Sequence, residues 1–217
     1  MKKLFHQENY KLWMIAIIAL LIAAIAYPFL PQEIPFHFGV NGEVDRYGGP
    51  WTIFLMPVIT MIFIASAELF RIIDPKRQSY AKFSRQYYGV HFLICLMFIL
   101  LEIYIIAISM GIELTNINHL MPAFIGILFL VLGNSMPKFK HNYFIGIRTC
   151  YTLANEDVWF MTHRFAGKLW FLGGFGIILT VFLPTNVIWI AFIIITAIII
   201  IAPVLYSYFV YQRMNKK

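Results

Sequence analysis

A run of nineteen residues, Leu12 to Leu30, contains no charged side chain, and apolar runs of similar character recur at 51–73, 89–110, 120–136, 169–183 and 188–211. About 20 apolar residues in an α-helix reach across the hydrocarbon core of a bilayer, where only a helix or a closed barrel satisfies its own backbone polar groups. The chain is therefore expected to be an all-α membrane protein of six transmembrane helices. Only 12% of its residues are charged, against about 25% in soluble domains. Residues 1–217 are accordingly expected to form a single polytopic membrane domain. Ala24-Ile25-Ala26 looks like a signal-peptide cleavage site. The apolar run continues to Leu30, beyond the usual signal core of roughly 7–15 residues, so a retained helix is expected.

Where the bases fall orients these helices. The amino-terminal head, residues 74–88, residues 137–168 and the carboxyl-terminal tail carry 3, 4, 5 and 3 Lys or Arg, Arg71 adds one, and the other side has only Arg46. By the positive-inside bias both termini and the 137–168 loop are expected in the cytoplasm, with 31–50 outside the cell. The net charge of +7 is read as attraction of cytoplasmic loops to anionic lipids. No direct contact with nucleic acid is expected.

Between the first two spans, PQEIPFHFGVNGEVDRYGGP alternates Ile34, Phe36 and Phe38 with Pro35 and His37 ahead of Asn41-Gly42. This is the pattern of a small external hairpin with a type I′ turn. Phe36, Phe38 and Tyr47 would give it aromatic contacts for a peptide, with His37 and Asp45 beside them; a hairpin that only rests on the bundle fits equally well. Glu33, His37, Glu43 and Asp45 could donate to a metal but match no recognised spacing, and no metal is expected.

Within the spans, Pro57 is expected to kink the second, and Pro122 to lie in the first turn of the fourth, where a missing N–H matters least. Glu102, in the middle of the third, would cost about 2.5–3.5 kcal/mol as an anion at the bilayer centre. It is expected to face the bundle, be protonated or be paired, either as a transporter's proton or ion site or as a structural carboxyl. Cys95 and Cys150 are expected to be reduced thiols.

The longest polar interruption is GNSMPKFKHNYFIGIRTCYTLANEDVWFMTHRFAGK, Gly133 to Lys168. Asn155, followed by Glu156 and Asp157, is a helix N-cap with acids in the first turn. That helix is expected to lie on the membrane surface before turning in as the fifth span. Asn142 to Leu153 suits a re-entrant or docking loop, and His141 and His163 are expected at a surface or interface. Arg148 could grip a phosphate or carboxylate through two N–H groups, or be an ordinary cytoplasmic arginine. No glycine-rich phosphate loop, nucleophile elbow or His-Glu-x-x-His pattern occurs, so neither a cofactor nor catalysis is expected.

Gly133-Asn134, Asn142, Ile145-Gly146-Ile147-Arg148-Thr149, Thr152-Leu153, Glu156, Val158-Trp159 and Arg164 to Lys168 resemble the signature of the SdpI family of bacterial membrane proteins. Leu30-Pro31, Ile34-Pro35, His37-Phe38, Gly42, Asp45, Tyr47-Gly48 and Pro57 are similar to the domain of unknown function that commonly precedes it. The resemblance implies a six-helix protein giving immunity to a secreted peptide toxin, for which Phe36, His37, Phe38, Asp45 and Tyr47 are candidate contacts. In the best-known member it also implies capture of a cytoplasmic transcriptional repressor at the membrane. The signature positions carried over are Asn134, Asn142, Gly146, Arg148, Thr149, Thr152, Glu156, Trp159 and Arg164. Cys150-Tyr151 stands where the family usually has Pro-Trp, which implies a less rigid loop. Two other classes stay open: a peptide or lipid transporter using Glu102, and a lipid-modifying membrane enzyme with its site at the cytoplasmic surface.

Overall fold

The apolar runs become helices in the computed structural model, which describes residues 9–39 and 41–215. Residues 1–8 of the basic head, Val40 of the hairpin connection, and Lys216 and Lys217 of the tail lie outside the described residues. In chain order the elements are α1 (Asn9–Ala26), β1 (Ile34–Phe38), β2 (Val44–Gly48), α2 (Leu55–Ile73), α3 (Ser84–Ser109), α4 (Ile117–Ser135), α5 (Cys150–Ala154), α6 (Glu156–Thr180) and α7 (Thr185–Asn215). Five stretches are helical, long and apolar enough to cross a membrane: Asn9–Phe29, Pro50–Ile73, Ser84–Ser109, Ile117–Lys138 and Thr185–Asn215. The chain is a multi-pass membrane protein.

Three expectations need correcting. The run 169–183 does not form a helix of its own: residues 169–180 finish α6, which runs unbroken from Glu156 to Thr180 with no turn between a surface half and an inserted half, and residues 181–183 follow it. From Leu169 to Thr180 the apolar half is about 18 Å long, short of the roughly 30 Å core, and Glu156, Asp157, Arg164 and Lys168 occupy the other half. Pro122 lies inside α4 rather than in its first turn, because the helix starts earlier, at Ile117. Pro57 is the third residue of α2, where helix N–H groups have no partner anyway; instead of a mid-span kink, a 3₁₀ turn, Pro50–Phe54, leads into the α-helix just before it.

Packing divides the chain into two compact units, the first formed by Met1–Leu69 with His91–Leu120 and the second by Phe70–Val90 with Met121–Lys217. In the first, α1 buries Leu12, Ile15, Ala16, Ala19, Ala23 and Ala26, a stripe at intervals of three and four whose alanines let backbones approach closely. Ala23 joins Ile34, Ile53 and Ile105 in one apolar cluster with Leu30 and Phe54 packed against it. That cluster seats the base of the hairpin.

β1 and β2 pair antiparallel, Ile34 opposite Gly48 and Phe38 opposite Val44, with irregularities on either side of the His37–Arg46 pair. The connection is not the expected two-residue type I′ turn. Such a turn needs φ > 0 at both central residues, and of Asn41 and Gly42 only Gly42 has it, at +78°, with no non-glycine residue there among the described residues. The loop instead runs from Gly39 to Glu43 and is closed by Gly39 N–H donating to Glu43 O (2.9 Å) and Gly42 N–H to Gly39 O (2.8 Å).

In the second unit, glycines bring two helices into backbone contact. A Cβ on Gly133 would fall 2.4 Å from Phe171 N and 2.8 Å from Gly167 O; one on Gly126 would fall 2.8 Å from Gly174 O. These two contacts, each pair seven residues apart, fix α4 antiparallel to α6 with no room for side chains between them. α6 then folds back on α7, where Phe165 stacks on Tyr206 with ring centres 4.4 Å apart. Trp170 Nε1–H donates to Ile199 O at 2.7 Å. That carbonyl has no helical partner because the residue four positions on is Pro203, which has no N–H to give.

Candidate functional site

The loop between α4 and α6 is held from within by Asn142. Its side chain is fully buried, and Oδ1 accepts from Phe144 N–H (2.9 Å), Ile145 N–H (2.7 Å) and Tyr80 O–H (3.4 Å). Nδ2 donates to Lys140 O (2.9 Å) and Ile145 O (3.0 Å). One amide thus closes residues 140–145 into a tight turn, with all its hydrogen-bonding capacity used.

Asp74, just past the end of α2, ties a second loop to this one. Its buried carboxylate accepts from Lys76 N–H (2.7 Å), Tyr80 O–H (2.9 Å) and Tyr143 N–H (2.9 Å). Burial, then the bond to Asp74, pushes the Tyr80 phenol well above its ordinary range, so it stays a donor. Lys76 Nζ donates to Glu156 Oε1 (2.7 Å) at the start of α6 and contacts His141 Nδ1. The bond from Lys76 holds the Glu156 carboxyl below its usual range.

Beneath the loop sits a stack of rings. Trp159, fully buried, donates Nε1–H to Phe139 O at 2.9 Å. His141 packs on one side of it, and His163 stacks on it with ring centres 4.0 Å apart. Both histidines are buried, where a position at a surface or interface is expected from the sequence. Nε2 of His163 lies 3.1 Å from Ile147 N–H and Nδ1 lies 2.8 Å from Trp159 O. Since an N–H can only donate and a carbonyl can only accept, the ring is neutral with its proton on Nδ1. Burial pushes its pKa down to about 4.

Above that ring the backbone passes at Gly146, with φ +109°, and a Cβ there would meet His163 Nε2 at 2.3 Å. Only glycine meets both requirements. Next, Thr149 and Thr152 form a reciprocal capping box at the start of α5. Thr149 Oγ1 also meets Ser207 Oγ of α7 at 3.0 Å, and Thr152 Oγ1 donates to Ile147 O at 2.7 Å. Asn155 caps α6 through Asp157 N–H and Val158 N–H.

On this base lies Arg148, exposed, with Nη1–H donating to Tyr143 O at 2.7 Å. The rest of its guanidinium has no partner among the described residues, so it can take an anionic group from outside. Asn134 and Arg164 lie apart from this arrangement, both exposed. Sequence reasoning missed Asp74, Lys76, Tyr80, His141 and His163. Of these, only His163 carried a local signal, one helical turn after Trp159.

At the other polar segment the candidate residues face outward. Phe36 is 52% exposed and Tyr47 60%. His37 Nδ1 and Asp45 Oδ1 are 2.6 Å apart at the surface, and Phe38 leans on Tyr104 at 6.1 Å. Glu102 of α3 is fully buried, and neither carboxyl oxygen has a hydrogen-bond partner among the described residues.

Residues 138–207, which contain Asn142 to Asn155 of this loop, α6 and most of α7, match the SdpI/YfhL protein family. This part of the chain is similar to that family. A domain of unknown function, DUF1648, matches residues 14–61, from α1 through the hairpin into α2. Immunity protein SdpI of Bacillus subtilis (strain 168) is 29% identical to this chain over 201 residues, 93% of this chain and 94% of that protein. No solved structure matches the chain at a significant level. Most SdpI/YfhL positions singled out in the sequence are thus the ones that hold the loop, while Arg148 is the one it presents.

Proposed function

We propose that this protein is an immunity protein of a bacterial cell membrane, protecting the cell against a secreted antimicrobial peptide toxin. The observation that carries the reading is the similarity to Immunity protein SdpI over nearly the whole of both chains, through the amino-terminal region and the SdpI/YfhL segment alike. In this reading α6 completes a sixth crossing by borrowing length from the residues that flank its apolar half, both termini are cytoplasmic, the hairpin faces the outside, and Phe36, His37, Phe38, Asp45 and Tyr47 meet the toxin. The SdpI/YfhL loop lies inside, where Arg148 engages a cytoplasmic partner such as a transcriptional repressor. Supporting this partition, residues 74–80 and 139–156, which carry two Lys or Arg each, are bonded to each other in one unit. Gly42 of the hairpin packs on Asn116 of the base-free connection between α3 and α4 in the other.

Deleting the gene is expected to sensitise cells to an antimicrobial peptide, and restoring it to reverse that. Unchanged killing across a panel of such peptides would end the proposal. Orientation has its own test, because Cys150 is exposed and Cys95 buried. A membrane-impermeant thiol reagent should label Cys150 only after the cells are opened.

A second reading has one observation in its favour, the buried carboxyl of Glu102, which has no hydrogen-bond partner among the described residues. Intramembrane acids of this kind serve proton and ion pathways. As a transporter, the protein would lose gradient-dependent movement of peptide or lipid in Glu102→Gln, and transport retained in that variant would remove the role.

A further inference from the structure

The outward face of α6 changes character within one turn. Arg164 and Lys168 are exposed toward its amino end, and Phe171, Leu172 and Phe175 toward its carboxyl end, at helical intervals that place them along one side. Beside this face an open groove of ≈ 410 Å³ runs between α4 and α6, with Gly133, Asn134 and Pro137 along one wall and Lys168, Phe171 and Leu172 along the other. Its floor is the backbone contact at Gly133 and Gly167, where no side chain fills the space. One end of the groove therefore offers an ammonium and an amide, and the other offers hydrocarbon.

Nothing else in the unit neutralises these bases. Its described part holds eleven Lys or Arg and three carboxylates, Asp74, Glu156 and Asp157. Asp74 is occupied by Tyr80 and backbone N–H groups, Glu156 pairs with Lys76, and Asp157 lies three turns of α6 away from Lys168. Neither Lys168 nor Asn134 nor Arg164 has a polar partner among the described residues. Basic side chains at the boundary of a membrane helix attract anionic lipid, and here a hydrogen-bonding amide and an apolar channel adjoin them.

We propose that this groove holds one anionic phospholipid, its phosphodiester on Lys168 Nζ and the Asn134 amide with Arg164 one turn further out, and an acyl chain along Phe171, Leu172 and Phe175. A free phosphate would leave the apolar half empty. A second copy of the chain would bring the same bases face to face. The site does not depend on the immunity reading, since lipid retention and peptide killing are measured separately.

Native mass spectrometry of the purified full-length protein, with phosphatidylglycerol or phosphatidylcholine added, tests it. One phosphatidylglycerol is expected to be retained in preference to phosphatidylcholine, with no displacement by glycerol phosphate. Lys168→Gln is expected to cut that retention about tenfold, the scale of one charge-assisted hydrogen bond, and Lys168→Arg to restore much of it. Both substitutions are at an exposed position, and an unchanged unfolding temperature will show that the fold survives. Wild-type retention in a Lys168→Gln, Asn134→Leu double variant would overturn the proposal. Displacement by glycerol phosphate, or a lipid-free dimer that dissociates on Leu172→Gln, would do the same.

Discussion

The two polar segments that interrupt the apolar chain, the hairpin and the SdpI/YfhL loop, use their hydrogen-bonding groups in opposite ways. In and beneath the loop, Asn142, Asp74, Thr152, Trp159 and His163 are buried and spend their donors and acceptors on the backbone around them. In the hairpin, Asn41 bonds Glu43 and His37 meets Asp45, all at the surface. Such exposed pairs contribute little to stability, whereas a buried polar group left without its partner costs the full desolvation penalty. The loop is thus a fixed platform and the hairpin an adaptable surface. A residue's place in a family signature does not by itself separate holding from contacting.

That contrast breaks most readily at Gly146. Gly146→Val places a branched side chain at φ +109° against His163 and is expected to cost about 3–5 kcal/mol, read as a large fall in thermal unfolding temperature or loss of accumulated protein. A near wild-type transition would mean that the loop is not seated on the His163–Trp159 stack. Asn142→Ala, which strands Phe144 and Ile145 N–H groups, is expected to cost about 2–4 kcal/mol.

Acid probes the same stack without mutation. An ordinary histidine titrates near 6.5, while His163 is held at about 4, so between these values the unfolded chain binds a proton that the folded chain does not. Stability is complete above about pH 6.5 and falls as the pH drops toward 4, by about 3 kcal/mol across that window. His163→Gln is expected to flatten the profile. Glu156, held below its ordinary range by Lys76, adds a loss only below about pH 4.5; being solvent-exposed, it contributes under about 1 kcal/mol.

Smaller again is the bond that repairs α7. Trp170→Phe is expected to cost about 1–2 kcal/mol, and less in a Pro203→Ala background, where residue 203 recovers an N–H for Ile199 O. Equal costs in the two backgrounds would show that Trp170 acts by packing alone. In the hairpin, His37→Ala and Asp45→Ala are expected to shift unfolding by no more than about 0.5 kcal/mol. Phe36→Ala with Tyr47→Ala should leave unfolding unchanged while reducing protection against the peptide. An unfolding shift as large as that of Asn142→Ala would erase the distinction between platform and surface.

Much of this was legible in the sequence where the physics is local. Uncharged runs long enough for lipid located five of the helices, the Asn155 cap located the start of α6, and alternation located the hairpin. The charge distribution put residues 74–88 and 137–168 on one side, and segments of both meet in the structure. Continuity was harder to see. Charges between Glu156 and Lys168 suggested a break before the apolar half of α6, yet a helix with polar and apolar ends needs no joint. Least legible were Asp74, Tyr80 and His141, whose roles rest on partners more than sixty residues away, or on a ring contact the sequence does not announce. Asn41-Gly42 suggested the tightest hairpin connection, but the described strands are separated by five residues.

The unbroken course of α6 has a mechanical corollary. Twenty-five residues of helix form a rod about 37 Å long, gripped at one end by Lys76 through Glu156 and pressed along its length against α4 at two glycine crossings. A rod without an elbow transmits load: torque applied near Glu156 reaches Thr180 as tilt or as thrust along the axis.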